Sequence, residues 1–231
     1  MSSIGPFVDR VIHADSALFL RVLPNECIDL VITDPPYLVD YRPRDRRRCN
    51  GDDNDYWLRP VFTQLYRVLK PDSFCATFYG WPHIDRFMTV WKSVGFRPVS
   101  HLVWAKEHCS RVGYTRSFHE VGFLLAKGKP PKPKLPPDDI LPWEYTKNRN
   151  HTNEKPVLAL IPLIEAFSKP GNFILDPFAG SGTTGVAAKA AGRRFILIEK
   201  VWHYCRVAER RLNETLSPEN KAPSALPARV N

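Results

Sequence analysis

The sequence predicts a single α/β domain built on a mostly parallel β-sheet. Short apolar runs rich in Val, Ile, Leu and Phe alternate with stretches of helical apolar spacing, a pattern typical of βαβ units. The chain has 231 residues, which fits one large domain better than two small ones. Hydrophobic residues make up 43% of it, enough to fill one core. We expect residues 1–213 to form this domain.

The spacing of apolar residues predicts each element in turn. Strands are predicted at residues 8–14, 28–33, 73–79, 97–104, 120–126, 172–175 and 194–198. Helices are predicted at residues 16–23, 56–69, 84–94, 156–168, 183–191 and 202–212. Gly192 directly follows the fifth helix, at a position where glycine favours the end of a helix.

Three segments fit neither type of element. Residues 41–55 are polar and rich in arginine. The segment 127–143 contains six prolines and four lysines, and because proline has no backbone N–H, neither a regular helix nor a central strand is expected there. The tail 214–231 is polar and contains three prolines, so we expect it to be disordered.

The composition favours a polyanionic partner. The formal net charge is +9, which indicates a positive surface field that attracts nucleic acid first and an anionic membrane surface second. The five cysteines lack the paired spacing of a zinc site, so we expect no metal and reduced thiols. Neither a signal peptide nor a membrane-spanning apolar stretch is visible, so we expect a cytoplasmic protein.

The first chemical motif is a glycine-rich turn between a strand and a helix at residues 173–184. Gly180 and Gly182 would let the backbone approach a ligand closely, and the helix N-terminus offers free N–H groups. Glu199 ends the next strand, where a carboxylate can accept hydrogen bonds from ribose hydroxyls. The motif does not continue as GxGxxG and has no GK[ST], so a nucleoside without a diphosphate fits better than NAD or ATP. The alternative is a structural turn followed by a surface glutamate.

The second motif, Asp34-Pro35-Pro36-Tyr37, follows a buried strand. The two prolines remove N–H donors and leave carbonyls that point outward. An exocyclic base amine is a poor nucleophile because its lone pair is delocalised into the ring. If Asp34 and the Pro35 carbonyl each accept one amino hydrogen, the nitrogen can present its lone pair to a methyl donor, while Tyr37 stacks on the extruded base. The alternative is a proline-rich turn without chemistry.

Together, DPPY at 34–37 and DPFAGSGTT at 176–184 resemble the motifs of the DNA amino-methyltransferases, a Rossmann-like family that uses S-adenosylmethionine. The catalytic motif precedes the cofactor motif, so the chain resembles the circularly permuted β class. The resemblance implies a seven-stranded, mostly parallel sheet with helices on both faces. In family order the strands lie as 8–14, 194–198, 172–175, 28–33, 73–79, 120–126 and 97–104. The two motifs then end adjacent strands at the topological switch point, where open α/β sheets bind ligands.

The resemblance also implies roles for individual residues. The implied catalytic residues are Asp34, Pro35, Pro36 and Tyr37. The implied cofactor-binding residues are Asp15, Lys155, Asp176, Phe178, Ala179, Gly180, Ser181, Gly182, Thr183, Thr184 and Glu199. Ala14 departs from the glycine usual before Asp15, and Thr152 departs from the proline usual after His151. The alternatives are a helix N-cap for Asp15 and a first-turn surface charge for Lys155.

Two basic segments are the candidates for contact with double-stranded DNA. The first holds five arginines directly after DPPY, where they could contact phosphates: Arg42, Arg44, Arg46, Arg47 and Arg48. The alternative is a solvated run of charges. The second is 127–150, which contains Trp143, Tyr145, Lys147 and Arg149 and is the candidate target-recognition segment. Its shortness favours a compact recognition sequence, and the family resemblance is also compatible with a homodimer.

The resemblance implies transfer of a methyl group to an exocyclic amine, with Asp34 favouring adenine N6 over the alternative, cytosine N4. A C5-cytosine enzyme needs a Pro-Cys nucleophile, and no Pro-Cys pair occurs in the sequence. An RNA or protein amine methyltransferase is more distant. From another class, the chain could be a catalytically inactive DNA-binding relative. Transfer of labelled methyl groups to DNA separates these hypotheses.

Overall fold

The computed structural model describes residues 4–39, 52–109, 111–112, 114–144 and 155–215. In this part of the chain the strands are β1 (Arg10–His13), β2 (Ile28–Thr33), β3 (Leu69–Phe78), β4 (Arg97–Lys106), β5 (Arg111–Val112), β6 (Arg116–Ser117), β7 (His119–Lys127), β8 (Ile140–Trp143), β9 (Phe173–Asp176) and β10 (Arg194–Glu199). The α-helices are α1 (Ser16–Phe19), α2 (Leu58–Val68), α3 (Ile84–Ser93), α4 (Ile161–Phe167), α5 (Thr183–Ala190) and α6 (Trp202–Glu214).

One large sheet organises the molecule, in the strand order β1-β10-β9-β2-β3-β7-β4-β8. β7 runs antiparallel to its neighbours β3 and β4, and the other pairs are parallel. The order predicted for the first seven of these strands is confirmed. The small antiparallel ribbon of β5 and β6 lies apart from this sheet, between β4 and β7 along the chain.

The large sheet has eight strands instead of the predicted seven, because the proline-rich segment contributes β8. This strand pairs with β4 at the edge of the sheet, from Val103 opposite Ile140 to Lys106 opposite Trp143. An edge strand bonds on one side only, so it tolerates the missing N–H of Pro142. The segment therefore avoids a central position, as expected, and still extends the sheet to eight strands.

Several predicted bounds also change at the ends of elements. The first predicted helix is a short α1 followed by a 3-10 turn at Leu20–Val22. The fourth likewise consists of a 3-10 turn at Val157–Ala159 followed by α4. β3 begins at Leu69, directly after α2, and so includes the last residue of the predicted helix 56–69 and residues 70–72, which no predicted element covered. The predicted disordered tail lies outside the described residues beyond residue 215.

Helices cover both faces of the sheet, as predicted. Alternate residues of β2 divide between two hydrophobic clusters, with Val31 in one and Leu30 and Ile32 in the other. The first cluster includes Phe62 of α2 and Trp91 of α3, both fully buried. The second packs against residues of α4, α5 and α6, among them Leu163, Ala187 and Leu212. Among the described helices, none is long and apolar enough to cross a membrane.

Candidate active site

Four acidic residues line the edge at which the parallel strands end. Asp15 follows β1, Glu199 ends β10, Asp176 ends β9 and Asp34 follows β2. These strands are neighbours in this order, so the two predicted motifs lie side by side. This edge is where parallel α/β sheets bind their ligands.

The glycine-rich turn after β9 owes its shape to left-handed backbone and close helix packing. Gly180 and Gly182 have φ angles of 50° and 82°, in the region that favours glycine. A Cβ at Gly182 would lie 2.7 Å from the Cβ of Ala208 on α6. The missing side chain of Gly182 therefore makes room for α6, and a ligand contact at this glycine stays a prediction.

Arg211 of α6 clamps the same turn, a role that the sequence did not reveal. Its Nη1 donates to the carbonyl of Ser181 at 2.8 Å, to the Ser181 Oγ at 2.9 Å and to the Thr183 Oγ1 at 3.1 Å. The arginine and the turn are about thirty residues apart in sequence, and no local motif connects them. Arg211 therefore positions the turn at the start of α5.

Two carboxyl groups, of the buried Asp176 and the partly buried Glu199, hold the turn from the sheet side. Asp176 accepts hydrogen bonds from the Phe178 N–H at 3.0 Å and the Thr184 hydroxyl at 2.6 Å. Burial raises the pKa of Asp176 to about 7, helped by the charges of Asp34 and Glu199 and opposed by these two hydrogen bonds.

Glu199 accepts from the Gly180 N–H at 2.8 Å and the Val201 N–H at 2.7 Å. Burial raises its pKa as well, although the backbone donors oppose this shift. Each oxygen of Glu199 therefore already accepts one backbone N–H, which fixes the carboxylate beside the turn.

Asp15 forms the N-cap of α1. Its Oδ1 accepts from the Ala17 N–H at 3.0 Å, and its Oδ2 lies 3.0 Å from the ammonium of Lys200. Burial raises the pKa of Asp15, but Lys200 and the backbone donors outweigh it, so the net shift is downward. The capping alternative is therefore what the structure contains, and a contact with a cofactor stays a prediction.

The second motif forms a compact hydrogen-bonded unit with Lys155. The Tyr37 hydroxyl donates to Asp34 Oδ1 at 2.7 Å. The Lys155 ammonium lies 3.0 Å from Asp34 Oδ2 and donates to the Tyr37 hydroxyl oxygen at 3.1 Å. Tyr37 is partly buried, and desolvation of its hydroxyl together with the charge of Asp34 raises its pKa well above its usual range. In the structure Lys155 thus contacts the base motif, although the resemblance assigned it to the cofactor.

Two residues that the sequence did not single out support Tyr37. Asp52 is buried, and its Oδ1 accepts from the Tyr37 N–H at 2.7 Å and more weakly from the Val39 N–H at 3.4 Å. A Cβ at Gly80 would overlap the Tyr37 carbonyl oxygen and lie 2.8 Å from the Tyr37 Cβ. The run of acids after the arginine segment is the signal that could have indicated Asp52.

Aromatic rings and a second ion pair complete this part of the site. The Lys155 ammonium lies 4.8 Å from the ring centroid of Phe78 and 5.8 Å from that of Trp143 on β8. Lys106 forms an ion pair with Glu120, and its ammonium lies 4.9 Å from the centroid of Trp143.

Of the residues named as candidate DNA contacts, the structure describes Trp143, which lies near this pocket because β8 pairs with β4 at the edge of the sheet. Tyr145, Lys147 and Arg149, and the arginines Arg42, Arg44, Arg46, Arg47 and Arg48, lie outside the described residues. No cluster of His, Cys, Asp and Glu suited to a metal ion occurs within the described ranges.

A protein-family model for DNA methylases, N6_N4_Mtase, matches residues 28–210. The chain belongs to this DNA methylase family. The match includes both motifs as well as Lys155, Glu120 and Lys106. The N6/N4 methylase assignment agrees with the family that the two sequence motifs predicted.

Curated relatives of this methylase align along most of its length. YubD of Escherichia coli (strain K12) is 46% identical over 205 residues, which cover 89% of this chain and 90% of YubD. The DNA adenine methyltransferase YhdJ of the same organism is 29% identical over 249 residues, covering 90% of this chain and 84% of YhdJ. The type II methyltransferase M.HinfI of Haemophilus influenzae is 28% identical, covering 92% of this chain and 70% of M.HinfI.

Solved structures share the fold of this methylase. The complex of M1.HpyAVI with SAM superimposes with a TM-score of 0.71 at 23% identity, covering 88% of this chain and 98% of that one. The cytosine-N4-specific PvuII DNA methyltransferase has a TM-score of 0.71 at 20% identity, covering 87% of this chain and 85% of that one.

Proposed function

We propose that this DNA methylase transfers the methyl group of S-adenosylmethionine to N6 of an adenine turned out of double-stranded DNA. One arrangement carries the proposal. The carboxylate of Asp34, oriented by Tyr37, follows β2, and the glycine-rich turn follows the adjacent strand β9. A group that accepts amino hydrogens is thereby set beside a turn suited to a nucleoside.

The described residues fit S-adenosylmethionine because the edge that would hold it is acidic. The raised pKa of Asp176 reflects burial and also the nearby charges of Asp34 and Glu199, and a cationic ligand relieves the repulsion among these carboxylates. In this assignment Glu199 takes the ribose hydroxyls, Asp15 the adenine amine, and the turn at residues 176–184 the remainder. When bound, S-adenosylmethionine supplies an electrophilic methyl group on a sulfonium centre.

The chain's own residues prepare the target amine. Asp34 and the Pro35 carbonyl each accept one amino hydrogen, which frees the nitrogen lone pair from the ring. Asp52 and Gly80 hold the backbone of Tyr37, so the ring that stacks on the base keeps its place. Phe78 and Trp143 add aromatic surface around the same point.

The choice of adenine rests on Asp34 and on one relative. In the family an aspartate at the first position of the motif leans towards adenine, and the relative YhdJ is named a DNA adenine methyltransferase. Cytosine N4 is the second candidate, since both amines need the same two acceptors, and the cytosine-N4-specific PvuII enzyme shares this fold.

DNA contact is assigned to the arginines at 42–48 and to the segment 127–150. Replacing Arg44, Arg46, Arg47 and Arg48 by alanine should weaken binding to all sequences alike. The slope of log affinity against log salt should flatten by about 0.9 for each phosphate that the protein no longer neutralises. Wild-type affinity and an unchanged slope in the quadruple variant would leave only a solvated run of charges.

The test of the proposal is methyl transfer followed by analysis of the product. Purified protein is incubated with labelled S-adenosylmethionine and unmethylated plasmid DNA, and the DNA is digested to nucleosides for mass spectrometry. We expect N6-methyladenine. N4-methylcytosine would favour the second candidate, whereas DNA binding without any methylated nucleoside would identify an inactive DNA-binding relative.

A further inference from the structure

We propose that Lys155 is a placeholder for the target amine: its ammonium occupies the acceptors of Asp34 and Tyr37 until the base displaces it towards Glu120. The inference rests on the proposed function and adds a residue that controls entry of the base. It gives Lys155 a role on the substrate side of the site, different from the cofactor role that the motif resemblance implied.

Each oxygen of Asp34 already has one side-chain partner. Oδ1 accepts from the Tyr37 hydroxyl at 2.7 Å, and Oδ2 lies 3.0 Å from the Lys155 ammonium. The amine of a base needs one of these oxygens as an acceptor. Tyr37 cannot move far, because Asp52 and Gly80 hold its backbone. Of the two partners, Lys155 is the one that a base can displace without moving the backbone, because its side chain is long and flexible.

Three aromatic rings lie around the Lys155 ammonium. The Lys155 nitrogen lies 5.3 Å from the Tyr37 centroid, 4.8 Å from that of Phe78 and 5.8 Å from that of Trp143. Aromatic faces attract a cation and stack equally well on a base. The Lys155 side chain is only 9% exposed. The ammonium thus fills the place beside Asp34 that suits an extruded base.

The charge of Lys155 also matters for methyl transfer to the amine. Forming the N–CH3 bond uses the lone pair of the amine nitrogen, so positive charge develops there until its proton passes through Asp34 to water. Two like charges about 4 Å apart repel each other strongly in a partly buried site. A lysine ammonium that stayed on Asp34 Oδ2 would oppose this charge, whereas a lysine that has moved away leaves Asp34 free to stabilise it.

Glu120 is the carboxylate to which the displaced Lys155 ammonium can move. Glu120 is a partly exposed carboxylate paired with Lys106, and the charge of Lys155 already contributes to lowering its pKa against the effect of burial. The Lys106 ammonium and the Lys155 ammonium both lie against Trp143, so the two lysines share one wall of the pocket. The Lys155 ammonium can therefore pair with Glu120 without a shift of β4 or β7, because a lysine side chain is long and flexible.

The expected effect follows from competition between two occupants. If the base-ready state is only a fraction of the population, the apparent affinity for the base falls by that fraction, and removing the competitor restores it. A lysine whose role was purely structural would not give this gain. The sign of the change in the KM for DNA is therefore diagnostic.

The experiment compares Lys155→Met and Glu120→Gln with the wild type. Methionine keeps the apolar stem among the rings and removes the charge, and glutamine keeps an acceptor for Lys106. KM and kcat are measured with unmethylated plasmid DNA, and the Kd for S-adenosylmethionine is measured by calorimetry. We expect the KM for DNA to fall about threefold or more in Lys155→Met and to rise by a similar factor in Glu120→Gln. The Kd of the cofactor should stay within about twofold in both variants.

Opposite shifts of the two variants support the placeholder. An unchanged or raised KM for DNA in Lys155→Met overturns it, and a raised cofactor Kd alone would return Lys155 to the cofactor. If Lys155→Met does not fold, as judged by thermal unfolding, Glu120→Gln decides, since an unchanged KM for DNA there contradicts the displacement. Absence of transfer by the wild type rejects the proposed function itself, which distinguishes the two failures.

Discussion

The two halves of the active-site edge hold their acidic residues by different means. In the half assigned to the cofactor (the cofactor half), at the ends of β1, β10 and β9, each carboxyl group accepts at least one backbone N–H, as Glu199 does from Gly180 and Val201, although Asp15 also pairs with Lys200. In the base half, at the ends of β2, β7 and β4, side chains hold them, as Lys155 and Tyr37 hold Asp34. Lys106 and Glu120 form a second such pair.

This difference separates a preformed region from an exchangeable one. Backbone donors take their positions as soon as the strands and helices form, so the cofactor half needs little rearrangement to bind its ligand. Ion pairs of long lysines can be replaced by a ligand with suitable hydrogen-bonding groups, because the side chain moves without the backbone. We therefore expect variants in the first half to change cofactor affinity, and variants in the second half to change turnover and use of DNA.

The largest effect should come from Asp34→Ala. The variant lacks the carboxylate that accepts the amino hydrogens, and we expect transfer to fall by about 10³-fold or more, in the range of a lost transition-state hydrogen-bonding group. Calorimetry should give an almost unchanged Kd for S-adenosylmethionine, because the carboxylate belongs to the base half. Lost cofactor affinity with intact turnover would reverse this assignment.

Glu199→Ala should give the opposite pattern. It removes a partly buried acceptor of the Gly180 and Val201 N–H groups as well as the proposed ribose contact. Cofactor binding should weaken by about 1–3 kcal/mol, and activity should partly recover at high cofactor concentration. Glu209→Ala is the matched control, since Glu209 pairs with Arg206 on the surface of α6. An unchanged Kd in Glu199→Ala would exclude Glu199 from the cofactor pocket.

Asp52→Ala tests whether the base half depends on a support outside its motif. Loss of the acceptor for the Tyr37 and Val39 N–H groups should lower kcat/KM for DNA by about 1–2 kcal/mol, with the cofactor Kd unchanged. The matched control is Asp53→Ala. The exposed Asp53 accepts a hydrogen bond from the side chain of its neighbour Asn54, and its loss should leave the protein like the wild type. Equal loss in both variants would show that the effect is not specific to the anchor of Tyr37.

The smallest expected effect is a pH dependence of cofactor discrimination. Because the pKa of Asp176 is raised to about 7 in the folded protein, the group is mostly protonated below that pH and charged above it. A charged Asp176 attracts the sulfonium of S-adenosylmethionine but not the neutral sulfur of S-adenosylhomocysteine. The Kd of the first ligand should therefore fall relative to that of the second as pH rises through about 7, by about threefold to tenfold.

The control for this measurement is Asp176→Asn, which lacks the titrating carboxyl group. The sulfonium lowers the pKa of the α-amino group of S-adenosylmethionine below that of S-adenosylhomocysteine, so any pH dependence that remains in Asp176→Asn comes from the ligands and is subtracted. Parallel pH curves for the two ligands with the wild-type protein would contradict the proposed position of the sulfonium near Asp176.

The sequence predicted the order of seven strands because the two motifs identify a topology that fixes the rest. It missed β8, since six prolines between residues 127 and 143 argue against a strand. That argument holds for a central strand, and β8 escapes it by pairing on one side only. The predicted catalytic residues include Asp34 and Tyr37, whose side chains form a hydrogen bond in the structure. Their supports Asp52 and Gly80 remained hidden, because their role is a contact with the backbone of Tyr37.

By itself the sequence determined the family and the fold and indicated the candidate residues for the chemistry, because these depend on local patterns: apolar periodicity, two prolines after an aspartate, and glycines in a turn. Only the tertiary structure decided which of these groups meet. Lys155 lies 118 positions from Tyr37 along the chain, yet its ammonium contacts the Tyr37 hydroxyl and the Asp34 carboxylate. In the same way, Arg211 on α6 contacts the glycine-rich turn, which is distant from it in sequence. Such contacts depend on strand order and helix packing, which bring distant side chains to one edge of the sheet and leave no mark in the local sequence.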